Sequence, residues 1–178
     1  GLDYEVQIWF NPGIADPPMP PTISDPSRSP LPTPAEAGWL RADLHAHTLY
    51  SDGDSWPDEL VQAAMETGLN VVGITDHNGA IQPHSSVELG PETPILIPGV
   101  EVTTYGGHWN AWSADAWQWY EFREPNGSVM AEVMAQAVAN GALVSINHPK
   151  PFGPEWTYPE ATAYHAVEIW NGWWQTLN

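Results

Sequence analysis

Apolar and polar residues along this chain form a pattern that predicts short strands separated by helices. Val71–Thr75 is a largely apolar run typical of a buried strand. From Ser55, a candidate N-cap, to Gly68, a candidate C-cap, apolar residues recur at helical spacing, with Pro57 in the first turn. The same reasoning predicts strands at Trp39–Thr48, Ile95–Thr103, Trp109–Ser113, Ala142–Asn147 and Ala166–Trp170, and a second helix at Val129–Ala139.

Polar residues gather at the carboxyl ends of these predicted strands. Alternating strands and helices are typical of a parallel α/β barrel or sheet. Barrel enzymes build their catalytic sites at the carboxyl ends of their strands. The sequence therefore predicts an α/β fold with its site at that edge.

The first 37 residues follow a different pattern. Leu2–Phe10 alternates and predicts a short strand, whereas 11–34 holds nine prolines in 24 residues, as an extended linker or surface strap does. We expect a strand and Pro-rich linker at 1–37 and one catalytic domain at 38–178.

The net charge of the chain limits the classes of molecule that it can bind. The net charge is −18, from 22 acidic residues against four basic ones. Nucleic-acid surfaces need clustered Lys and Arg, so we expect a small-molecule substrate, no nucleic acid and no membrane. Neither a membrane span nor a signal peptide is recognisable, which predicts a soluble protein, cytoplasmic or exported, of undefined oligomeric state.

The run Asp43-Leu44-His45-Ala46-His47-Thr48 carries the clearest chemistry. Residues i and i+2 of a strand share a face, so His45 and His47 can ligate one metal ion together. The chain has no cysteine, which leaves imidazoles and carboxylates as its strong ligands and favours Zn, Mn or Fe. Further motifs follow predicted strands in order: Ser51-Asp52-Gly53, Thr75-Asp76-His77-Asn78, Gly99-Val100-Glu101, Gly107-His108 and Asn147-His148-Pro149.

Several common catalytic devices are missing from the sequence. It contains no Gly-x-Ser-x-Gly elbow, no phosphate-binding Gly-Lys-Ser/Thr loop, no dinucleotide fingerprint and no His-Glu-x-x-His helix. Their absence disfavours serine hydrolases, nucleoside triphosphatases and zincin proteases. Water activated by a metal is the chemistry that remains.

The ordered motifs resemble the polymerase and histidinol phosphatase (PHP) family of metallohydrolases, from about Trp39 to Asn171. Three segments are most similar to the branch that includes carbaryl esterase: Gly38-Trp39-Leu40, Ser51-Asp52-Gly53 and Thr75-Asp76-His77-Asn78. The resemblance implies a distorted (β/α)7 barrel that holds two or three divalent metal ions.

Carried over residue by residue, the resemblance also implies roles for the site. His45 and His47 would bind a first metal, and Glu101 would bridge it to a second. The remaining implied ligands are His108 and His148 on the second metal, and Asp52 and His77 on a third metal or a substrate contact. Asp76 would act in catalysis with Glu101 by orienting a ligand or water, while Glu168 matches a family strand without a defined role.

Simpler interpretations remain open for some of these residues. Asp52 before Gly53 is also a common turn former, His108 could be a loop contact, and His148 could cap a strand end. The family's closing Asp-x-His strand has no counterpart here. We therefore expect a barrel that lacks its last strand in this chain.

The resulting hypothesis is a metal-dependent hydrolase acting on a phosphoester. Alternatives are a carboxyl-ester, carbamate or amide hydrolase of the same family, and a non-catalytic domain whose metals staple the fold. The abundance of tryptophan leaves a carbohydrate-binding module as a third class, although most of these rings are expected to pack in the core.

Overall fold

The computed structural model describes residues 38–79, 93–113, 119–123, 127–149 and 154–171. All of them belong to the second of the two units into which the chain divides, Leu31–Asn178. The predicted strand Leu2–Phe10, the Pro-rich segment, His84 and Lys150 lie outside the described residues. The elements are β1 (Ala42–Ala46), α1 (Pro57–Glu66), β2 (Val71–Ile74), β3 (Ile95–Thr104), β4 (Gly107–Trp112), α2 (Gly127–Ala139), β5 (Leu143–Asn147) and β6 (Ala166–Val167).

The described strands form one six-stranded mixed sheet whose spatial order follows the chain, β1-β2-β3-β4-β5-β6. It curls as part of a barrel, which confirms the α/β class, while the count of seven β/α units stays a prediction. β1, β2 and β3 run parallel, and so do β5 and β6. β4 is antiparallel to both of its neighbours, so the expectation of a wholly parallel sheet is wrong there.

The reversal at β4 follows from the short connection that precedes it. Two residues, Tyr105 and Gly106, join β3 to β4. A parallel pair needs a crossover of a dozen or more residues, whereas two residues suffice for a hairpin. Gly107 adopts φ +138° directly after this turn, a conformation open to glycine.

Both helices form close to where the sequence predicts them. α1 has Trp56 rather than Ser55 at its N-cap, and the Glu59 carboxylate accepts a hydrogen bond from the Trp56 N–H at 2.8 Å. At the other end of α1, Gly68 adopts φ +70°, as a residue just past a helix end often does. α2 begins two residues earlier than predicted, at Gly127.

The larger core lies on one face of β3, β4 and β5. Trp109 is fully buried there and packs with Met130 and Met134 of α2. A smaller core joins α1 to β2 through Ala64 and Ile74. Neither α1 nor α2 is long and apolar enough to cross a membrane.

Candidate metal centre

Strand alternation separates the core from a polar face on the same three strands. Successive side chains point to opposite faces of a sheet, and directly opposed residues share a face. In the ladder, Glu101 lies opposite Asn110, and Thr103 lies opposite His108. β5 extends both rows, because Ser145 pairs with Asn110 and Asn147 pairs with His108. The face turned away from the core is thus lined with polar groups.

Glu101 is the centre of this polar face, and its side chain is inaccessible to solvent. Its Oε2 lies 3.3 Å from Nε2 of His45 and 3.3 Å from Nε2 of His47. Nδ1 of His77 approaches the same oxygen at 3.0 Å. One oxygen of Glu101 therefore contacts predicted ligands from the carboxyl ends of both β1 and β2.

The other oxygen of Glu101 faces a separate set of groups. His148 Nε2 lies 3.1 Å from Oε1, and His108 Nδ1 lies 3.3 Å from it. Asn147 donates a 2.9 Å hydrogen bond from Nδ2 to the same atom. The carboxylate thus divides five imidazoles into a group of three on Oε2 and a group of two on Oε1.

Asp52 adds a carboxylate at the rim of this cluster. Its Oδ2 lies 3.3 Å from Nε2 of His77, and its Oδ1 lies 3.6 Å from Nδ1 of His47. The Asp52 side chain keeps 68% of its surface exposed. Its placement between two imidazoles goes beyond what a turn former before Gly53 needs.

Asp76 holds the loop that carries His47. Both of its oxygens accept hydrogen bonds at 2.7 Å from Thr48, one from the backbone N–H and one from the hydroxyl. Ser51 donates a third, at 2.6 Å, and its hydroxyl also lies 3.4 Å from His47 Nδ1. Asp76 therefore acts on a predicted ligand through Ser51, which fits an orienting role.

Asn78 fixes the neighbouring His77 against β3. It adopts φ +49°, a left-handed conformation that Asn tolerates better than most residues. Its side-chain amide exchanges two hydrogen bonds with the backbone of Thr103, at 2.8 and 3.1 Å. The Thr103 hydroxyl in turn contacts Nδ1 of His77.

Glu168 follows β6 and reaches the cluster from its other side. Both of its oxygens lie 3.2 Å from Nδ1 of His45. The backbone N–H of His148 donates to Oε2 at 3.1 Å. The residue without a defined role in the sequence thus contacts two predicted ligands.

The charges in the site depend on one another. Burial opposes the charge on Glu101, but close contacts with four surrounding imidazoles lower its pKa well below the usual range. Burial likewise opposes protonation of His45, yet its contacts with Glu101 and Glu168 raise its pKa to about 9. The contact with Glu101 raises the pKa of His77, whereas burial lowers that of His47. The negative charge of the carboxylates therefore favours protonation of His45 and His77, and the imidazoles in turn keep Glu101 ionised.

The donor set fits divalent metal ions. Two atoms bound to one ion at about 2.1 Å lie about 3.0–3.4 Å apart, and the nitrogen–oxygen contacts at Glu101 measure 3.0–3.3 Å. Glu101 Oε2 is buried and accepts no well-aligned hydrogen bond from any described residue. Among the described residues, four overlapping groups have ligand atoms within 4.8 Å of one another: His45, His47 and Glu101; His77, Glu101 and His108; His47, Asp52 and His77; and His45, His148 and Glu168.

Comparison with known proteins agrees with this geometry. The PHP domain family matches residues 43–141, which is more than half of the chain. The chain belongs to the PHP domain family. The resemblance inferred from the ordered motifs is thereby confirmed at the family level, whereas the carbaryl-esterase-like branch stays a prediction.

Relatives of this PHP domain include nucleic-acid enzymes. It is 42% identical over 65 residues to the 5'-3' exoribonuclease Rnm of Escherichia coli strain K12, covering 35% of this chain and 22% of the relative. It is 52% identical over 40 residues to the error-prone DNA polymerase of Nocardia farcinica, covering 21% of this chain and 4% of the polymerase. The matches therefore span a small part of these relatives.

A solved structure resembles the PHP domain over a larger share of its length. This neighbour is a two-domain protein from Bacteroides vulgatus that contains a predicted PHP-like metal-dependent phosphoesterase. The match has a TM-score of 0.52 and 25% sequence identity, and it covers 73% of this chain and 44% of the neighbour.

The structure brings the seven predicted metal ligands of the PHP domain into one cluster: five imidazoles contact Glu101, and Asp52 contacts two of those imidazoles. The seven are His45, His47, Asp52, His77, Glu101, His108 and His148. His165, which belongs to none of the motifs, accepts a hydrogen bond from the backbone N–H of Val144.

Sequence reasoning missed the supporting residues. Thr103 lies two positions after Glu101 on the same face of β3, so alternation could have placed it beside His77. Asn147 belongs to the motif Asn147-His148-Pro149, but its hydrogen bond to Glu101 depends on the register of β4 and β5. Glu168 meets His45 across 123 positions of sequence, which no local pattern reveals.

Proposed function

We propose that this PHP domain is a metal-dependent hydrolase that acts on a phosphoester. The observation that carries the proposal is the buried Glu101 carboxylate, with two groups of imidazoles on its two oxygens. A bridging carboxylate with separate histidine sets is suited to a pair of closely spaced divalent ions. Membership of the PHP family and the metal-dependent phosphoesterase in the solved neighbour support the hydrolase class.

Each metal position has a set of side chains that would hold it. His45 and His47 with Glu101 form the first set, and His108 and His148 with Glu101 form the second. Asp52 and His77 form a third set together with His47, and the family resemblance implies Asp52 and His77 for a third metal or a substrate contact. We propose Zn, Mn or Fe as occupants, two or three in number. Such ions, when bound, polarise the substrate and lower the pKa of water toward ~7.

The side chains of the chain itself keep these positions in place. Glu101 fixes the separation of the two main sets, because its carboxylate is buried and held by Asn147. Asp76 keeps His47 oriented through Ser51. The exposed Asp52 marks the side of the cluster that is open to solvent, where we propose that substrate enters.

The relatives favour a substrate with a phosphorus centre, while the charge of the chain favours a small substrate over a polynucleotide. An exoribonuclease, a polymerase and a phosphoesterase are among the matched proteins, and their names all concern phosphate chemistry. A chain of net charge −18 repels a polynucleotide unless cations are clustered on it. We therefore propose a small phosphoester, and exclusion of nucleic acid stays a prediction.

One observation favours the alternative, a carboxyl ester, carbamate or amide. Phosphate sites usually recruit Arg or Lys, and the described residues contain two cationic side chains, Arg41 and Arg123. Arg123 is already paired with Glu121 at 2.6 Å. A neutral ester needs no such partner, so this alternative is tested beside the first.

The test is hydrolysis after removal and return of metal. Protein treated with chelator and reloaded with Mn²⁺ or Zn²⁺ is assayed on p-nitrophenyl phosphate, bis(p-nitrophenyl) phosphate, p-nitrophenyl acetate and a short RNA. We expect metal-dependent turnover of a phosphate substrate, its loss in His45→Ala, and its retention in Glu132→Gln on the exposed face of α2. Turnover of the acetate alone would support the carboxyl-ester alternative. Metal binding without any turnover would support a non-catalytic metal-stapled domain.

A further inference from the structure

Glu168 contacts the metal centre from outside the two sets of ligands that Glu101 organises. Its carboxylate lies 3.2 Å from His45 Nδ1 through both oxygens. Oε2 also accepts the His148 backbone N–H, and Oε1 accepts a 3.2 Å hydrogen bond from Asn171 Nδ2. Three donors from three segments of the chain thus converge on one carboxylate.

The contact with His45 decides which ring nitrogen is free to bind a cation. An ionised carboxylate is an acceptor, so Nδ1 of His45 must carry the proton that it shares with Glu168. Nε2, which lies 3.3 Å from Glu101 Oε2, is then the nitrogen whose lone pair a metal ion would take in place of a proton. A carboxylate on the far nitrogen of a metal-binding imidazole commonly fixes its tautomer and its ring orientation.

The contact with His148 supports a strained backbone. His148 has φ +31°, an uncommon conformation for a residue with a side chain. Its N–H points to Glu168 Oε2, while its ring Nε2 points to Glu101 Oε1 at 3.1 Å. Glu168 therefore holds the backbone from which the second set of ligands receives this imidazole.

We infer that Glu168 is a positioning residue that aligns two metal ligands at once, His45 of the first set and His148 of the second. The inference rests on the proposed function, because it assigns both histidines to metal ions. Glu168 lies near enough to His45 and His148 to be a direct ligand as well. Both of its oxygens already accept hydrogen bonds, which favours positioning over ligation.

The test compares Mn²⁺ binding by wild type, Glu168→Gln, Glu168→Asp and the surface control Glu132→Gln. Free Mn²⁺ is counted by electron paramagnetic resonance during titration, and circular dichroism checks folding. Gln has a neutral amide with one acceptor oxygen, so its hydrogen bonds to His45 and His148 are weaker than those of the carboxylate. We expect its Mn²⁺ dissociation constant to rise about 10- to 100-fold, with an unchanged number of ions at saturation. Asp keeps the carboxylate and is expected to recover part of the affinity.

Nitrogen NMR of the Zn²⁺-loaded protein gives a second readout, which does not depend on metal affinity. The assigned His45 ring should carry its proton on Nδ1, with slow exchange, and Glu168→Gln should accelerate that exchange. A proton on Nε2 would overturn the inference, as would an affinity of Glu168→Gln equal to that of the control. Loss of one whole ion at saturating Mn²⁺ would also overturn it, by making Glu168 a ligand. Absence of Mn²⁺ binding by wild type would overturn both this role and the proposed function.

Discussion

The two faces of β3, β4 and β5 differ completely although they belong to the same strands. One face carries apolar side chains such as Val102 and Trp109, packed against α2. The other, shifted by one residue, carries Glu101 and His108 in the centre of the site. The first face is stabilised by burial of apolar area, worth roughly 25 cal/mol per Å². The second concentrates charge and polarity where solvent is excluded.

The polar face lowers the stability of the folded domain, because some of its buried polar atoms have no partner. The buried polar atoms of Glu101 Oε2, Asn110 Oδ1 and Asn147 Oδ1 have no hydrogen-bond partner among the described residues. Each buried polar group left unpaired costs about 1–3 kcal/mol. A face built in this way is favoured when a ligand uses those atoms, and the apolar face supplies the rigidity that holds them.

The largest effect is expected from Glu101→Gln, which breaks the polar face alone. The substitution preserves the size of the side chain but removes the charge that two sets of imidazoles share. We expect loss of the bound metal and a fall in hydrolysis of about 10³-fold or more. Elemental mass spectrometry of the purified variant measures the metal content, with Glu132→Gln as the control.

A Glu101→Gln variant that keeps its full metal content would contradict the bridging role. In that case the close imidazoles would be a hydrogen-bonded cluster around a structural carboxylate. Thermal unfolding of the same sample separates this outcome from simple misfolding.

Trp109→Ala is expected to break the apolar face instead. The ring is completely buried between β4 and α2, and such truncations cost about 3–5 kcal/mol. That is a large share of the total stability of an ordinary domain, about 5–15 kcal/mol. Urea unfolding with chelator present measures the loss.

The matched variant for this position is Trp109→Phe. It keeps a large ring and removes the indole N–H, which has no partner among the described residues, so we expect a smaller loss than with alanine. The folded fraction of Trp109→Ala should still bind metal, because His108 lies on the opposite face. If the folded fraction of Trp109→Ala loses its metal as well as its stability, the two faces do not act independently.

Sequence alone could place most of this site because its ligands follow local patterns. His45 and His47 share a strand face by spacing, and the position of Glu101 after an apolar run made it a candidate. The contacts of these residues then follow from where parallel strands end. The sequence predicts a site residue when its side-chain chemistry and its position in a local pattern both indicate the site.

The sequence could not give the direction of β4 or the role of Glu168, for physical reasons. Alternation has the same period in a parallel and an antiparallel strand, so the direction depends on the short turn at Tyr105. The contact of Glu168 with His45 depends on the curl of the whole sheet. The first feature is set by a two-residue turn that the apolar pattern does not reveal, and the second by the shape of the whole sheet.

Gly53→Ala is expected to disturb one edge of the polar face and leave the apolar face unchanged. A Cβ at Gly53 would lie 2.3 Å from the carbonyl oxygen of His47 and 2.7 Å from the Thr48 nitrogen. Backbone atoms cannot move aside cheaply, so the turn that carries Asp52 must open. We expect the free energy of unfolding to fall by about 2 kcal/mol, and binding to weaken at the third proposed metal position, that of His47, Asp52 and His77.

Gly79→Ala is the control for that substitution, since its new Cβ would meet the nearest atom, His77 O, at an ordinary 3.7 Å. Titration with Mn²⁺ should show one weakened class of sites in Gly53→Ala and none in Gly79→Ala. Uniform weakening of every site by Gly53→Ala would mean that the turn supports the whole cluster.

The smallest effect, a few degrees in melting temperature, is expected from pH. In chelated protein, the pKa of His45 is raised from 6.5 to about 9, so its contribution is complete below 6.5 and is lost as pH rises through 9. Glu168 has a lowered pKa, from 4.5; its contribution is present above 4.5 and is lost at lower pH. His47, with its lowered pKa, acts against His45 and reduces the effect.

Metal should reverse this dependence on the alkaline side, because ions bind neutral imidazoles and compete with protons. The difference in melting temperature between Mn²⁺-loaded and chelated protein should therefore grow from pH 6 to pH 9. Differential scanning calorimetry in matched buffers measures it, and the apolar face contributes equally to both samples. A difference that is constant across this range would mean that the imidazoles of the polar face do not give up protons to metal.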